Sequence, residues 1–456
     1  MQFGAAFLRH AAVGFTLAAS LCFLLPPAWA GVWTTGYYPA YRQAAMPASQ
    51  VDFSALTHVI HFSIAPNSDG SIDTSINSMT PARSIDVVTK AHAAGRPVLI
   101  SVAGSGSGGF IGATASPNRA TFIANLLDFM DAYSYDGIDI DWEPLNTSEA
   151  NQYTNFVKEL RLALNAFEPR RLLTVATAQQ PRWFAALQSE FDQINLMTYS
   201  LSGTWPGWVT WFNAPIYDGG YRFPSTGGLV PSADGMVDDF LEAGVAASKL
   251  GIGIAFYGKR WAGGSGTSTG GAALPRQSWT EAPTTSSLSY ATIMSTYYDA
   301  MIYHWDSDAQ AAYLSIDNPG SADDEFISYD DEHTCQAKVS YARNRALGGV
   351  MIWELGQGYR STQPAGQREP LLQAIKQTVL ATPDITAVWH NGQDIVLRFS
   401  SMPLAQYRVL WTTNLAGGEW NTLTNNLSGE GGTMQVTDTG AAASSSPRYY
   451  RVRTPP

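Results

Sequence analysis

Apolar positions along this chain recur at two periods, and their alternation predicts the architecture. From Gly31 onward, short β-rich runs fall at Val32–Tyr38, Thr57–Ala65, Pro97–Ala103, Gly137–Glu143, Leu172–Ala178, Gln193–Tyr199, Leu250–Tyr257 and Gly348–Glu354. Helix-period stretches such as Ser84–Ala94, Arg119–Ser134, Ser148–Phe167 and Gly235–Ala247 lie between several of them. Near-continuous apolar runs separated by helices read as parallel strands buried on both faces. Eight such runs predict an α/β fold, a (β/α)8 or TIM barrel over 31–380, with its active site at the carboxyl ends of the strands. Between about 262 and 328 the alternation breaks, leaving a connection far longer than usual between the seventh and eighth runs. Past Leu380 the period changes. Residues 381–384 read as a linker, and period-two runs separated by turn residues predict a small all-β, fibronectin-like module over 385–456. Trp389, Trp411 and Trp420 in that module leave two roles open, a spacer or a polysaccharide binder.

One run differs from the rest. Tyr135-Asp136-Gly137-Ile138-Asp139-Ile140-Asp141-Trp142-Glu143-Pro144 is a strand with a turn before it and a proline stopping it. Side chains alternate across a strand, so Asp139, Asp141 and Glu143 share one face while Ile138, Ile140 and Trp142 share the other. Three acids on a strand whose other face is buried repel one another and lose hydration, which packing does not require and chemistry exploits. The plainer readings are a solvated edge strand and a calcium site. The apolar residues between the acids argue against the first. The lack of an Asp/Asn-Gly calcium loop argues against the second.

Asp136-Gly137-Ile138-Asp139-Ile140-Asp141-Trp142-Glu143 resembles the D-G-x-D-x-D-x-E signature of glycoside hydrolase family 18, the chitinases and their relatives. Further similarity follows in family order. Ser101 through Gly104 resembles S-x-G-G, with Ala103 for the first glycine. Met197-Thr198-Tyr199-Ser200 resembles M-x-Y-D, with Ser200 for the aspartate. Phe212 through Tyr217 resembles H-N-x-P-L-Y, with Phe212 for the histidine, and Leu250 through Lys259 resembles L-G-x-P-F-Y-G-R, with Lys259 for the arginine. The resemblance implies a small α+β insertion over 262–328. It implies Glu143 as general acid, Asp141 and Asp139 as its supporting acids, and Tyr199 as the residue positioning the substrate's acetamido group. Tyr37 and Ser101 match residues that hydrogen-bond the innermost aspartate, and Trp353 matches a subsite floor. Trp142, Met197 and Tyr257 complete the expected substrate-binding set, and Trp208 and Trp211 are candidates for sugar platforms with buried packing an equal alternative for each. The implied activity is retaining hydrolysis of β-1,4-linked N-acetylglucosamine in chitin through an oxazolinium ion, with no metal or other cofactor. An endo-acting enzyme on another acetamido glycan and an inactive chitin-binding lectin are the alternatives. The lectin is disfavoured by the presence of Glu143.

Gly104-Ser105-Gly106-Ser107-Gly108-Gly109 also satisfies G-x-G-x-x-G, with Asp128 near the distance for a ribose contact. Asp128 falls inside a helix pattern rather than at a strand end, so the run reads as a barrel loop. Residues 1–30 carry Arg9, an apolar run to Leu25 and an A-x-A site, the pattern of a secretory signal. A secreted monomer starting at Gly31 is the expectation. Removing Arg9 takes the formal charge from −11 to −12, which disfavours nucleic acid and anionic membranes as partners. Cys335 is then the single cysteine, so no disulfide framework and no cysteine metal site is expected.

Overall fold

A computed structural model describes residues 32–105, 108–319, 323–380, 383, 385–401, 406–417, 419–428, 432–444 and 446–453. The expected signal segment 1–30, linker positions Ala381, Thr382 and Asp384, and loop residues Gly106 and Ser107 lie outside the described residues. Seven strands open the barrel: β1 (Trp33–Pro39), β2 (His58–Pro66), β3 (Val98–Ser105), β4 (Gly137–Glu143), β5 (Leu172–Thr177), β6 (Gln193–Leu196) and β7 (Leu250–Ala255). An inserted sheet follows, of β8 (Tyr257–Ala262), β9 (Thr284–Ser289), β10 (Tyr303–Asp306), β11 (Ala311–Ile316) and β12 (Glu325–Tyr329), before β13 (Gly349–Trp353) completes the barrel. All neighbouring barrel strands pair in parallel, and β1 bonds to both β2 and β13, so the sheet closes with eight strands.

The principal helices are α1 (Pro81–Ala93), α2 (Arg119–Ala132), α3 (Ala150–Leu164), α4 (Pro181–Leu187), α5 (Ala233–Glu242), α6 (Glu332–Asn344) and α7 (Pro370–Leu380). Their starts are written in the sequence: Thr80 with Pro81, Ser232 and Asp331 each accept a backbone N–H of the first turn. The crossover from β1 to β2 has no α-helix and is made of three 3-10 turns. After β6, Met197 to Pro231 contains no regular element beyond one bridge between Arg222 and Leu229. The sixth strand is therefore shorter than expected. Thr198 turns its hydroxyl onto the Gly253 carbonyl at 3.1 Å, and Ser200 takes a left-handed φ of 55°, which ends the extended run.

Apolar side chains fill two layers. Ile138, Ile140 and Trp142 of β4 face the helices and join the large cluster with Phe122, Phe156 and Leu160. Inside the barrel, Tyr37, Ile60, Leu99, Ala176 and Met351 form a smaller cluster below the acids. The inserted sheet is antiparallel, in the order β9-β8-β12-β11-β10, and begins directly at Tyr257. Where it returns to the barrel, Lys338 and Asp330 form a fully buried ion pair at 2.5 Å, and Asp330 also accepts the Ala255 N–H at 2.9 Å.

The C-terminal module is two three-stranded antiparallel sheets. One holds β14 (Ile385–Asn391), β15 (Asp394–Ser401) and β18 (Gly432–Asp438); the other holds β16 (Gln406–Thr412), β17 (Asn421–Ser428) and β19 (Tyr449–Arg453). Phe399 and Val436 from the first meet Tyr407, Val409 and Val452 from the second. Each tryptophan considered for polysaccharide has an arginine over its ring: Arg398 on Trp389, Arg448 on Trp411 and Arg451 on Trp420, at 5.2, 3.6 and 4.0 Å. No helix among the described residues is long and apolar enough to cross a membrane.

Candidate active site

Parallel register builds the site. Asp139 of β4 lies level with Ser101 of β3 on one side and Thr174 of β5 on the other. Residues in register point to the same side of the sheet, so all three enter the barrel together. Ser101 Oγ donates to Asp139 Oδ2 at 3.0 Å and Thr174 Oγ1 donates to Oδ1 at 2.6 Å. Tyr37, reaching from β1, adds its hydroxyl to Oδ2 at 2.9 Å. Gly137 begins the strand because an added Cβ would sit 2.3 Å from the Leu172 carbonyl oxygen.

Asp141 and Glu143 follow at successive two-residue steps towards the strand's carboxyl end. Burial pushes the Asp139 carboxyl up, and its three hydroxyl donors pull it back. Asp141 has no such offset. Burial first, then the Glu143 and Asp139 charges, hold its carboxyl well above the usual range, and its Oδ1 has no hydrogen-bond partner. Its side-chain hydrogen bond with Glu143 acts in the same upward direction. Glu143 is open to solvent at the mouth, yet the surrounding walls remove enough water to raise its carboxyl too. Among the described residues, no cluster of His, Cys, Asp and Glu is arranged to hold a metal ion.

Two hollows meet at Glu143. One, of about 390 Å³, is lined by Tyr37, Asp141, Glu143, Met197, Tyr199, Ser200, Tyr257 and Trp353. The other, of about 380 Å³, lies against Glu143, Pro144, Leu145, Thr177, Gln179 and Met197. Both are in the size range of small-ligand sites. Trp353 forms an apolar wall wedged between Tyr37 and Phe62, with ring centroids 5.5 and 4.8 Å away. Tyr199 stands beside it, and its hydroxyl donates to the Met351 sulfur at 3.7 Å, a weak acceptor that a ligand oxygen can replace. Gly253 makes room for this ring, since a Cβ there would come within 2.7 Å of it. Ser200, in the place expected for an aspartate, shares a 2.7 Å hydrogen bond with the Tyr257 hydroxyl. Burial pushes Tyr257 up to about 12. Lys259 donates to the Ser202 carbonyl, and burial lowers its ammonium pKa.

The structure turns Trp142 away from the expected sugar-binding role and gives Trp208 and Trp211 the packing alternative. Trp142 turns outward, as its place between the acids dictates; its ring stacks on Phe110 at 4.6 Å and is 3% exposed. Trp142 also borders the second hollow. Trp211 is fully buried, donates its Nε1 to the Pro231 carbonyl and packs in a core beside the inserted sheet. Trp208 lines neither hollow and packs between Trp205 and Phe223 at 4.4 and 4.8 Å. The residues that sequence reasoning missed are Thr174 and Phe62. Thr174's place in a run adjoining the acidic strand was visible, but its register was not.

Asp136 points away from the hollows, accepting the Val98 N–H at 2.8 Å and pairing with His92 at 2.7 Å. Asp128 lies within α2, and Gly109 packs so closely on the Pro66 carbonyl that a Cβ would sit 2.0 Å from it. Gly109 thus has a packing reason, and no dinucleotide site is formed by these two features.

The family model for glycosyl hydrolases family 18 matches residues 34–358, well over half of the chain. This chain belongs to that family. Among curated relatives of the family 18 chain, Chitinase A1 of Niallia circulans is 28% identical over 350 residues, 67% of this chain and 48% of its own length. The chain thus spans about half of that relative. Among solved structures, the Group IV chitinase of Ostrinia furnacalis in complex with allosamidin superposes with a TM-score of 0.65 at 22% identity, covering 77% of this chain and 99% of that one. The family 18 chitinase of Cycas revoluta in complex with (GlcNAc)3 gives 0.62 at 22%, covering 76% and 99%. At such identities the superpositions establish the shared barrel.

Proposed function

We propose that this family 18 protein is a chitinase that hydrolyses β-1,4 linkages between N-acetylglucosamine units with retention, the substrate's own acetamido group acting as nucleophile. One observation carries the reading. Asp139 is held by three hydroxyls, while Asp141, one step outward, has a free oxygen and faces Glu143 across the mouth of a hollow walled by Tyr199 and Trp353. A sugar stacked on Trp353 places its acetamido group among Tyr199, Asp141 and Glu143.

The acetamido N–H replaces Glu143 as the partner of Asp141, and the shared proton passes to Glu143. Glu143 gives it to the glycosidic oxygen as the C–O bond breaks. The acetamido oxygen, held by the Tyr199 hydroxyl, closes on the anomeric carbon, and Asp141 carries the charge opposite the oxazolinium ring. Water, deprotonated by Glu143, then opens that ring from the face the leaving group vacated. The configuration is retained and Glu143 recovers its proton. The chitinases among the relatives and the oligosaccharide in the Cycas revoluta structure support chitin as the substrate class. The signal-like first thirty residues support export.

Glu143→Gln removes the transferable proton and keeps the shape. The expected result is a fall of about 10²–10⁴ in kcat on N-acetylglucosamine hexamer, with hexamer affinity by calorimetry within a few-fold of the parent. Parental turnover in this variant would refute the assignment.

A further inference from the structure

The C-terminal module carries an arrangement unrelated to the hydrolytic site. In the sheet of β16, β17 and β19, antiparallel register sets Arg408 directly across from Arg453, and Leu410 across from Arg451. The three arginines therefore share the outward face, because Val409 and Val452, between them, point into the sandwich core. Like charges placed opposite each other destabilise a strand pair. Among the described residues, no acid relieves this pair. Among the described residues none of Arg408, Arg451 and Arg453 forms an ion pair, whereas Arg448, on the other face, is bound to Asp438 at 2.8 Å. Arg408 donates only to the Asn425 side-chain oxygen, at 3.1 Å, and Arg451 lies over Trp420 with its Nε buried and unpartnered.

The charge is also local. Residues 385–456 hold five arginines against four acids, a net +1, which leaves −12 for the rest of the chain. Three guanidinium groups with no ion-pair partner among the described residues are gathered on one small sheet of an otherwise acidic protein. Neighbouring strands are ~4.8 Å apart and alternate residues ~7 Å apart, so the groups form a compact cationic patch. Thr422, level with Leu410 on the adjoining strand, and Asn425 add hydroxyl and amide groups on the same side.

We propose that this arginine face binds an anionic polysaccharide, one bearing carboxylate or phosphate groups along its length. Guanidinium groups pair with both in a two-pronged geometry, and the hydroxyl and amide neighbours suit sugar hydroxyls. A nucleic acid fits less well: single-strand binding uses free aromatic faces for stacking, and the Trp420 face is covered by Arg451. The module on this reading anchors the protein to a charged glycan, independently of the substrate in the barrel.

The test uses the full chain and its Arg408→Gln/Arg453→Gln variant, by calorimetry against polygalacturonate, long-chain polyphosphate, neutral dextran and single-stranded DNA. Binding is expected to polygalacturonate, polyphosphate or both, which tells the carboxylate source from the phosphate source. It should weaken about tenfold or more between 50 and 200 mM salt, as release of a few counterions requires. The variant should lose at least tenfold in affinity, keep parental turnover of N-acetylglucosamine hexamer, and melt at the same temperature or higher because the opposed charges are gone. Equal binding by the variant, equal binding to dextran, tighter binding to DNA, no binding to either polyanion, or a lower melting temperature in the variant would each overturn the proposal.

Discussion

Two sets of carboxylates in this molecule meet opposite surroundings. Asp330 is closed in with the Lys338 ammonium and a backbone N–H, while Asp139, Asp141 and Glu143 stand in line with no cation among their hydrogen-bond partners. The first set has its charge neutralised within the fold. The second has no such cation, burial raises its carboxyls, and it opens on a hollow. Burial raises the carboxyl of Asp330 while the Lys338 charge lowers it; for Asp141 every influence acts upward. The difference separates a joint that holds the inserted sheet to the barrel from a site that keeps a proton ready to move.

Breaking the closed pair should have the largest effect on stability. Lys338→Met strands a buried carboxylate and should cost about 3–5 kcal/mol in chemical denaturation, with kcat of the folded protein unchanged. A loss under 1 kcal/mol would place the pair among the interchangeable contacts.

Asp141→Asn sharpens the contrast from the other side. Turnover should fall by about 10²-fold or more, while stability at neutral pH should rise by on the order of 1 kcal/mol. The sign follows from linkage. The folded carboxyl titrates above its unfolded value, so the fold binds more protons and loses stability as pH rises through that interval. The melting-temperature advantage of the variant should therefore grow from pH 5 to pH 8. An advantage independent of pH would contradict the raised carboxyl.

Thr174→Val is the mildest change. It removes one of three donors to Asp139, so burial raises that carboxyl further. The acid limb of the kcat profile should move to higher pH, with roughly tenfold lower kcat at its optimum. An unmoved limb would make Thr174 a packing residue only.

The barrel and its acidic strand were legible because their signals are local. Period two, the Asp136-Gly137 turn and Pro144 delimit β4 at Gly137 and Glu143 as expected. What escaped depended on distant partners. Thr174 matters only through its register with Asp139. Trp211 and Trp353 are the same residue type in similar apolar runs, yet one fills a core and the other walls the hollow. The strand β17 carries a weak period-two signal, because Asn425 stands between Leu423 and Leu427 and register shifts along its pairing with β16 break the period. The three-arginine face likewise exists only once β16 and β19 are paired.

The central claim is that the nucleophile belongs to the sugar being cleaved and that Glu143 serves both steps. Proton NMR of the newly formed reducing ends, recorded within the first minutes of hexamer hydrolysis, tests it most directly. The account requires the β-anomer to appear first and the α-anomer only by later mutarotation; an α-anomer formed at the outset would contradict it.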